Sequence, residues 1–255
     1  MTASIESVRS YWESRPCNIR HSPERVGTRA YFDDVEKRKY FVEPHIPEFA
    51  QFEKWRGRYV VEIGCGLGTD TISFARAGAQ VTAVDLTESA VELVKLRAYL
   101  FGLDNISVCR ADAEALPWAA AQCCDLVYSF GVLHHTPHPE KVLSKAYELL
   151  KPGGTLKVML YHKYSWKFLT HQQPEAQPDC PVVYTYSRKE ARRLIEAAGF
   201  KVKELYVRHI FPYRVADYLE YRYVKAWPFN VMPAWLFHGL ERILGAHILI
   251  TGVKE

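Results

Sequence analysis

Three alternating glycines, Gly64, Gly66 and Gly68, follow the acidic Glu62 in the run VVEIGCGLGTD from Val60 to Asp70. Glycines in such a loop tolerate positive φ and let backbone N–H groups come close to a bound molecule that larger side chains would obstruct. Ahead of them, Val60, Val61 and Ile63 predict a buried parallel strand. Behind them, Thr71, Ile72, Phe74 and Ala75 predict a helix whose N-terminus favours a negative group such as a carboxylate. The chemistry on offer is cofactor binding. The dinucleotide fingerprint G-x-G-x-x-G is not met, because the pattern from Gly64 is G-x-G-x-G and the third glycine position counted from Gly66 holds Thr71.

Two further acidic residues close apolar strands. QVTAVDLT, Gln80 to Thr87, leads to Asp85, where a carboxylate can accept hydrogen bonds from both hydroxyls of a ribose. ISVCRADAEALPW, Ile106 to Trp118, carries Asp112 just after another strand. CDLVYSFGVLHHTPHP, ending at Pro139, and LLKPGGTLKVML, Leu149 to Leu160, complete the series. In this order and spacing the five segments resemble the successive motifs of the class I S-adenosylmethionine-dependent methyltransferases of small-molecule type. The resemblance implies that Glu62, Gly64, Cys65, Gly66 and Gly68 bind S-adenosylmethionine, whose ammonium and sulfonium suit a carboxylate. It also implies that Asp112 meets the adenine amino group, that Ala113 lines the ring, and that Leu86 beside Asp85 and Phe130 in the fourth strand belong to the same site.

His134, His135 and His138 follow the fourth strand at the ligand edge of the sheet, where an imidazole can take a proton from a hydroxyl or thiol as a methyl group transfers. His134 and His135 are the candidates for that work, although V-L-H-H accompanies many specificities in this family and equally suits a structural pair. No metal site is expected from the three, since no carboxylate or cysteine at ligand spacing joins them. Methyl transfer needs little beyond geometry: the sulfonium is already a good leaving group, and in-line placement supplies most of the acceleration. In YWESRPCNIRHS, Tyr11 to Ser22, the residues Asn18, Arg20 and His21 are candidates to recognise the acceptor or to anchor the cofactor carboxylate. They serve equally well to cap and dock the first helix. Tyr161 and Tyr213 complete the set of candidate substrate contacts.

Alternating α and β signals from residue 58 onward predict the elements that position these residues. Strands are expected at Val60 to Ile63, Val81 to Asp85, Ile106 to Cys109, Leu126 to Phe130, Thr155 to Leu160, Val202 to Val207 and His247 to Val253. One helix should stop at Gly102, and another should open with a capping box from Ser187 to Glu190. The expected fold is α/β: a doubly wound sheet with helices on both faces, which the resemblance extends to seven strands with the last antiparallel. Residues 1–56 are expected to form an N-terminal lid or cap, and 57–255 the S-adenosylmethionine-binding domain, with inserted helical lid segments near 161–186 and 211–245. The second insertion is rich in aromatic residues. Its early tyrosines are expected nearer the pocket and Trp235 in the packing of the C-terminal helix. Membrane-surface contact through Trp235 to Leu244 is disfavoured by a polar face that is not Lys-rich.

A chain of 255 residues with 48% hydrophobic and 24% charged residues suits one α/β domain with a sizeable core. The start, MTASIESVRSYWESRP, has no apolar export region, and no apolar stretch reads as membrane-spanning, so a cytoplasmic location is expected. Six cysteines without a C-x-x-C pair indicate reduced thiols. A net charge of +4, with Lys and Arg scattered among Asp and Glu, makes nucleic acid an unexpected partner. The sequence carries no signal for oligomeric state. The reading is methyl transfer from S-adenosylmethionine to a small-molecule acceptor by in-line displacement, with oxygen the first choice of acceptor atom and sulfur or nitrogen next. The alternatives are a nicotinamide-dependent oxidoreductase, which the glycine spacing disfavours, and a non-catalytic S-adenosylmethionine-binding protein.

Overall fold

The computed structural model describes residues 4–116, 121–169 and 179–255, without the side chains of 168 and 169. Pro117 and Trp118 of the third motif, and residues 170–178 of the first insertion, lie outside the described residues. Seven strands make one sheet: β1 (Tyr59–Ile63), β2 (Gln80–Asp85), β3 (Ile106–Arg110), β4 (Cys124–Phe130), β5 (Leu150–Tyr161), β6 (Phe200–Arg208) and β7 (His247–Lys254). Their order is β3-β2-β1-β4-β5-β7-β6. The first five are parallel, and β7 runs antiparallel to both β5 and β6. The order reverses between β1 and β4, the switch point at which open α/β sheets bind ligands beyond their carboxyl edge.

Both faces of the sheet are covered, so its central strands are apolar on both sides instead of alternating. On one face Val61, Ile63, Val127 and Leu156 join a core with Leu143 and Ile195; on the other, Val60, Leu126 and Tyr128 pack with Phe74 and Leu249. The helices before the sheet are α1 (Ile5–Ser14), α2 (Arg29–Val42) and α3 (His45–Ala50). Those within it are α4 (Thr69–Arg76), α5 (Glu88–Phe101), α6 (Pro139–Leu149), α7 (Trp166–Leu169), α8 (Arg188–Ala197), α9 (Val215–Leu219) and α10 (Ala234–Leu244). Helix α5 ends at Gly102 in the left-handed region, and α6 begins with Pro139 in its first turn. Helix α8 opens with the expected reciprocal box, in which the Glu190 N–H donates to Ser187 Oγ and the Ser187 N–H to Glu190 Oε2.

Helix α2 is fastened over the sheet by Arg97 of α5, a fully buried guanidinium that donates to the Leu67 carbonyl (3.0 Å), Thr69 Oγ1 (2.9 Å) and Glu36 Oε2 (2.8 Å). Such a charge is tolerable in the interior because its donors are spread over several acceptors. The segment 211–245 departs from expectation. None of its residues lines the cavity described below, and neither α9 nor α10 buries a residue. Trp235 is 75% exposed and Trp227 80%, so the placement of Trp235 in helix packing is corrected. The rings of this segment meet one another and α2 instead: Tyr213 lies 6.1 Å from Phe41 and 5.5 Å from Tyr223, and Phe41 lies 4.7 Å from Tyr223. Among the described residues no helix is long and apolar enough to cross a membrane. All six cysteines are free thiols.

Candidate functional site

Beyond Ile63 the chain turns through Gly64 (φ 77°), Gly66 (φ 52°) and Gly68 (φ 71°) into α4. The three glycines have different reasons to be there. A Cβ on Gly64 would stand 2.1 Å from Val132 Cγ2, and one on Gly68 2.9 Å from Val94 Cγ2, whereas one on Gly66 meets nothing within 4 Å. Gly64 and Gly68 therefore permit close packing of the loop on Val132, just past β4, and on Val94 of α5. Gly66 borders open space. Accordingly Gly66→Val is expected to abolish cofactor binding at a stability loss of about 1–2 kcal/mol from the left-handed backbone, while Gly64→Val should unfold the loop; melting curves with calorimetry on both variants separate the two.

The open space is a cavity of about 300 Å³ above the carboxyl edge of the sheet. Its volume lies at the lower end of the range of small-molecule sites. Gly64, Cys65, Gly66, Asp85, Leu86, Asp112, Ala113 and Phe130 all line it, as do Asn18, His135 and Tyr161. Asp85 closes β2 with both carboxylate oxygens in use: Oδ2 accepts the Gly66 N–H (2.9 Å), and Oδ1 accepts the N–H (3.0 Å) and hydroxyl (2.8 Å) of Thr87. Burial raises its pKa against the pull of those donors. Asp112, just past β3, accepts the Glu114 N–H on Oδ1 at 2.9 Å.

Other expected residues lie elsewhere. Glu62 is buried but does not line the cavity; the Thr71 hydroxyl of α4 donates to it, and burial together with the nearby Asp70 pushes its pKa up. Asp70 itself ties the cap to the loop, with Oδ1 accepting Lys39 Nζ (2.9 Å) and the Tyr40 hydroxyl (3.0 Å) and Oδ2 accepting the Tyr128 hydroxyl (3.0 Å). Gly68 is the residue before α4 and is also absent from the wall. The Arg20 carbonyl accepts the Tyr221 hydroxyl at 3.1 Å, and His21 Nε2 lies 3.3 Å from the Tyr218 hydroxyl, so both face the 211–245 segment and not the cavity. Tyr213, packed on Phe41, is likewise outside it.

The two adjacent histidines part company in the short turn Leu133–His135. His134 is fully buried and stacks on Tyr161 at 3.7 Å; burial, reinforced by His135, holds its pKa well below normal. His135 reaches the cavity beside Trp12, 5.0 Å away. Its Nδ1 lies 2.8 Å from the Val182 carbonyl, which can only accept, so Nδ1 carries the proton and Nε2 keeps a lone pair. Burial lowers its pKa to about 4, and the ring is neutral near pH 7.

Sequence reasoning did not single out Trp12, Cys17, Lys39, Glu43, Thr136, Met159 and His247, which share the cavity wall. Lys39 and Glu43 stand four residues apart at the end of α2, a spacing that by itself reads as an ordinary helical ion pair. The fit to S-adenosylmethionine can be tested on these walls. Two acidic groups stand at or just past the ends of β2 and β3, an open approach at Gly66 admits a ligand against the backbone of the loop, and apolar surface from Leu86, Ala113 and Ile63 is available for a purine ring. The residues suit the cofactor.

Residues 61–158 match the methyltransferase domain family. The ubiquinone biosynthesis O-methyltransferase of Paracidovorax citrulli is 34% identical over 99 residues, 39% of this chain and 42% of that protein. Its counterpart in Coxiella burnetii is 36% identical over 101 residues, 40% of this chain and 42% of that protein. The chain thus matches about two-fifths of the length of these curated relatives. The structure of magnesium protoporphyrin IX methyltransferase from Synechocystis with bound S-adenosylhomocysteine superimposes with a TM-score of 0.65 at 16% identity, covering 99% of this chain and 100% of that one, a likeness of fold. The glycine loop, Asp85 and Asp112 all lie inside the region that matches the methyltransferase domain family, and the cavity brings Gly64, Gly66, Asp85 and Asp112 together.

Proposed function

We propose that this chain moves a methyl group from S-adenosylmethionine to an oxygen of a small-molecule acceptor, with sulfur or nitrogen the next choice. The observation that carries the reading is a single cavity that holds the glycine loop, Asp85 and Asp112 together with the neutral imidazole of His135. The names of the relatives, both O-methyltransferases, support oxygen. When bound, S-adenosylmethionine supplies a methyl group on a sulfonium, a leaving group that departs with the C–S electron pair. Asp85 would hold the ribose hydroxyls and Asp112 the adenine amino group. Leu86 and Ala113 would flank the purine, and the open backbone at Gly66 would lie against the methionine part. His135 accepts the acceptor proton on Nε2, with the Val182 carbonyl fixing the ring and stabilising the charge that develops on it.

Residues 1–56 act as the cap in this reading, since Ile5, Val8, Trp12 and Asn18 line the cavity and exclude water from it. An acceptor that fits beneath them is a small molecule and not nucleic acid, in keeping with the mild net charge of +4, and the chain works in the cytoplasm. Release of S-adenosylhomocysteine on incubation with fractionated metabolites tests the reaction, and absence of release from every fraction counts against turnover. Once an acceptor is in hand, His135→Ala is expected to lower kcat by roughly 10²-fold or more while cofactor affinity stays unchanged. An unchanged kcat removes His135 from proton transfer and leaves placement alone as the source of rate.

A further inference from the structure

Glu43 follows the last turn of α2, His45 opens α3, and His247 opens β7 opposite Tyr161 of β5. These residues come from the two ends of the chain, and their ligand atoms all lie within 4.8 Å of one another. His45 Nε2 is 3.0 Å from His247 Nδ1, which is 3.7 Å from Glu43 Oε1. We propose that Glu43, His45 and His247 form a binding site for a divalent cation of the zinc class, open to the cavity and placed for the oxygen of the methyl acceptor. The cation site stands on these residues alone, whereas its use by an acceptor rests on the methyl-transfer reading.

The geometry suits an ion. Ligand atoms about 2.1 Å from a tetrahedral zinc lie roughly 3.4 Å apart, and the two measured separations fall on either side of that value. One proton at most is shared between the two facing nitrogens, and Glu43 Oε1 stands beside them. Lys39, one turn before Glu43, has its ammonium on Asp70 at 2.9 Å. A single divalent ion would take His45 Nε2, His247 Nδ1 and the Glu43 carboxylate together.

Two imidazoles and one carboxylate form a donor set that zinc accepts and that magnesium, which prefers oxygen, does not. Three protein ligands leave a fourth position. Glu43 and His247 line the cavity and His45 does not, so the fourth position faces the cavity. His209 stacks on His247 at 4.5 Å and holds the ring in place. The cluster lies at the β5 and β7 side of Phe130, away from Asp85 and Asp112 at the ends of β2 and β3, which is where an acceptor would approach the methyl group. A hydroxyl bound there loses its proton more readily, to His135 or to water, and the resulting oxygen nucleophile remains on the ion.

The test uses the full chain stripped with a chelator and then titrated with Zn²⁺ in a calorimeter and with Co²⁺ in a visible spectrometer. One equivalent of each is expected, with the cobalt bands of a four-coordinate site. Glu43→Gln, which preserves volume, and His247→Ala should both lose that equivalent while retaining S-adenosylmethionine binding as evidence of folding. A wild-type chain that takes up no stoichiometric ion, or a site that persists in both variants, overturns the proposal. Ion uptake by a chain that binds no S-adenosylmethionine would overturn the methyl-transfer reading and leave the cation site standing; cofactor binding without ion uptake would do the reverse.

Discussion

Asp85→Ala is expected to weaken S-adenosylmethionine binding by about 2–4 kcal/mol, roughly 30- to 1,000-fold, because the variant loses charge-assisted acceptors for both ribose hydroxyls. The structure adds a second consequence. Asp85 also accepts the Gly66 N–H and both donors of Thr87, so alanine releases the glycine loop as well as the ribose. Some loss of melting temperature should therefore accompany the loss of affinity, reduced by removal of a buried carboxylate whose ionised form is disfavoured. Asp85→Asn keeps the shape and one acceptor oxygen, and should fall between wild type and alanine in both measurements. Calorimetry that finds wild-type affinity in Asp85→Ala would remove the ribose role from the end of β2.

Stability should fall as pH is lowered from 7.5 to 5.5. Burial holds His21 near 3, His135 near 4 and His134 well below its ordinary value. Each stays neutral in the fold but takes up a proton near pH 6.5 when the chain unfolds, so each withdraws about 1.4 kcal/mol of stability per pH unit below 6.5 until its folded pKa is reached. His45, His209 and His247 shift in the same direction in the metal-free chain. Glu62 and Glu43 oppose them: burial raises both, to about 8 and about 7, which makes the folded state the better proton binder, so their contribution is full below the unfolded carboxyl pKa and is lost as pH rises. The six imidazoles outnumber the two carboxyls, and the net loss across this window is on the order of a few kcal/mol. Thermal melts with a chelator present should show a lower Tm at pH 5.5 than at 7.5. An unchanged or higher Tm in acid would mean that these rings are not held neutral.

The sheet and the cavity wall at the ends of β1 to β3 were legible because their signals are local. A buried strand, a glycine loop and an acid at the strand end recur within a few residues of one another, and a parallel fold brings successive strand ends to one edge whatever joins them. Gly102 and the Ser187 to Glu190 box were readable for the same reason. The acceptor side was not. His45 and His247 touch across 202 residues, and no spacing announces such a pair. Lys39 and Glu43 read as a solvated helical pair until α2 is seen held over the sheet by Arg97. His134 and His135 are indistinguishable in sequence, and only the short turn sends one into the core and the other to the cavity. The aromatic residues of 211–245 suggested a wall or a core, since composition cannot reveal that these rings stack among themselves and on Phe41 while Trp227 and Trp235 face outward.

Direct calorimetric titration of the full chain with S-adenosylmethionine and, separately, with NAD tests the central claim that the loop, Asp85 and Asp112 form one S-adenosylmethionine site. One molecule of S-adenosylmethionine per chain is expected to bind, with no heat from NAD at the same concentrations. Binding of NAD with no uptake of S-adenosylmethionine would contradict the assignment of the cavity and the function built on it.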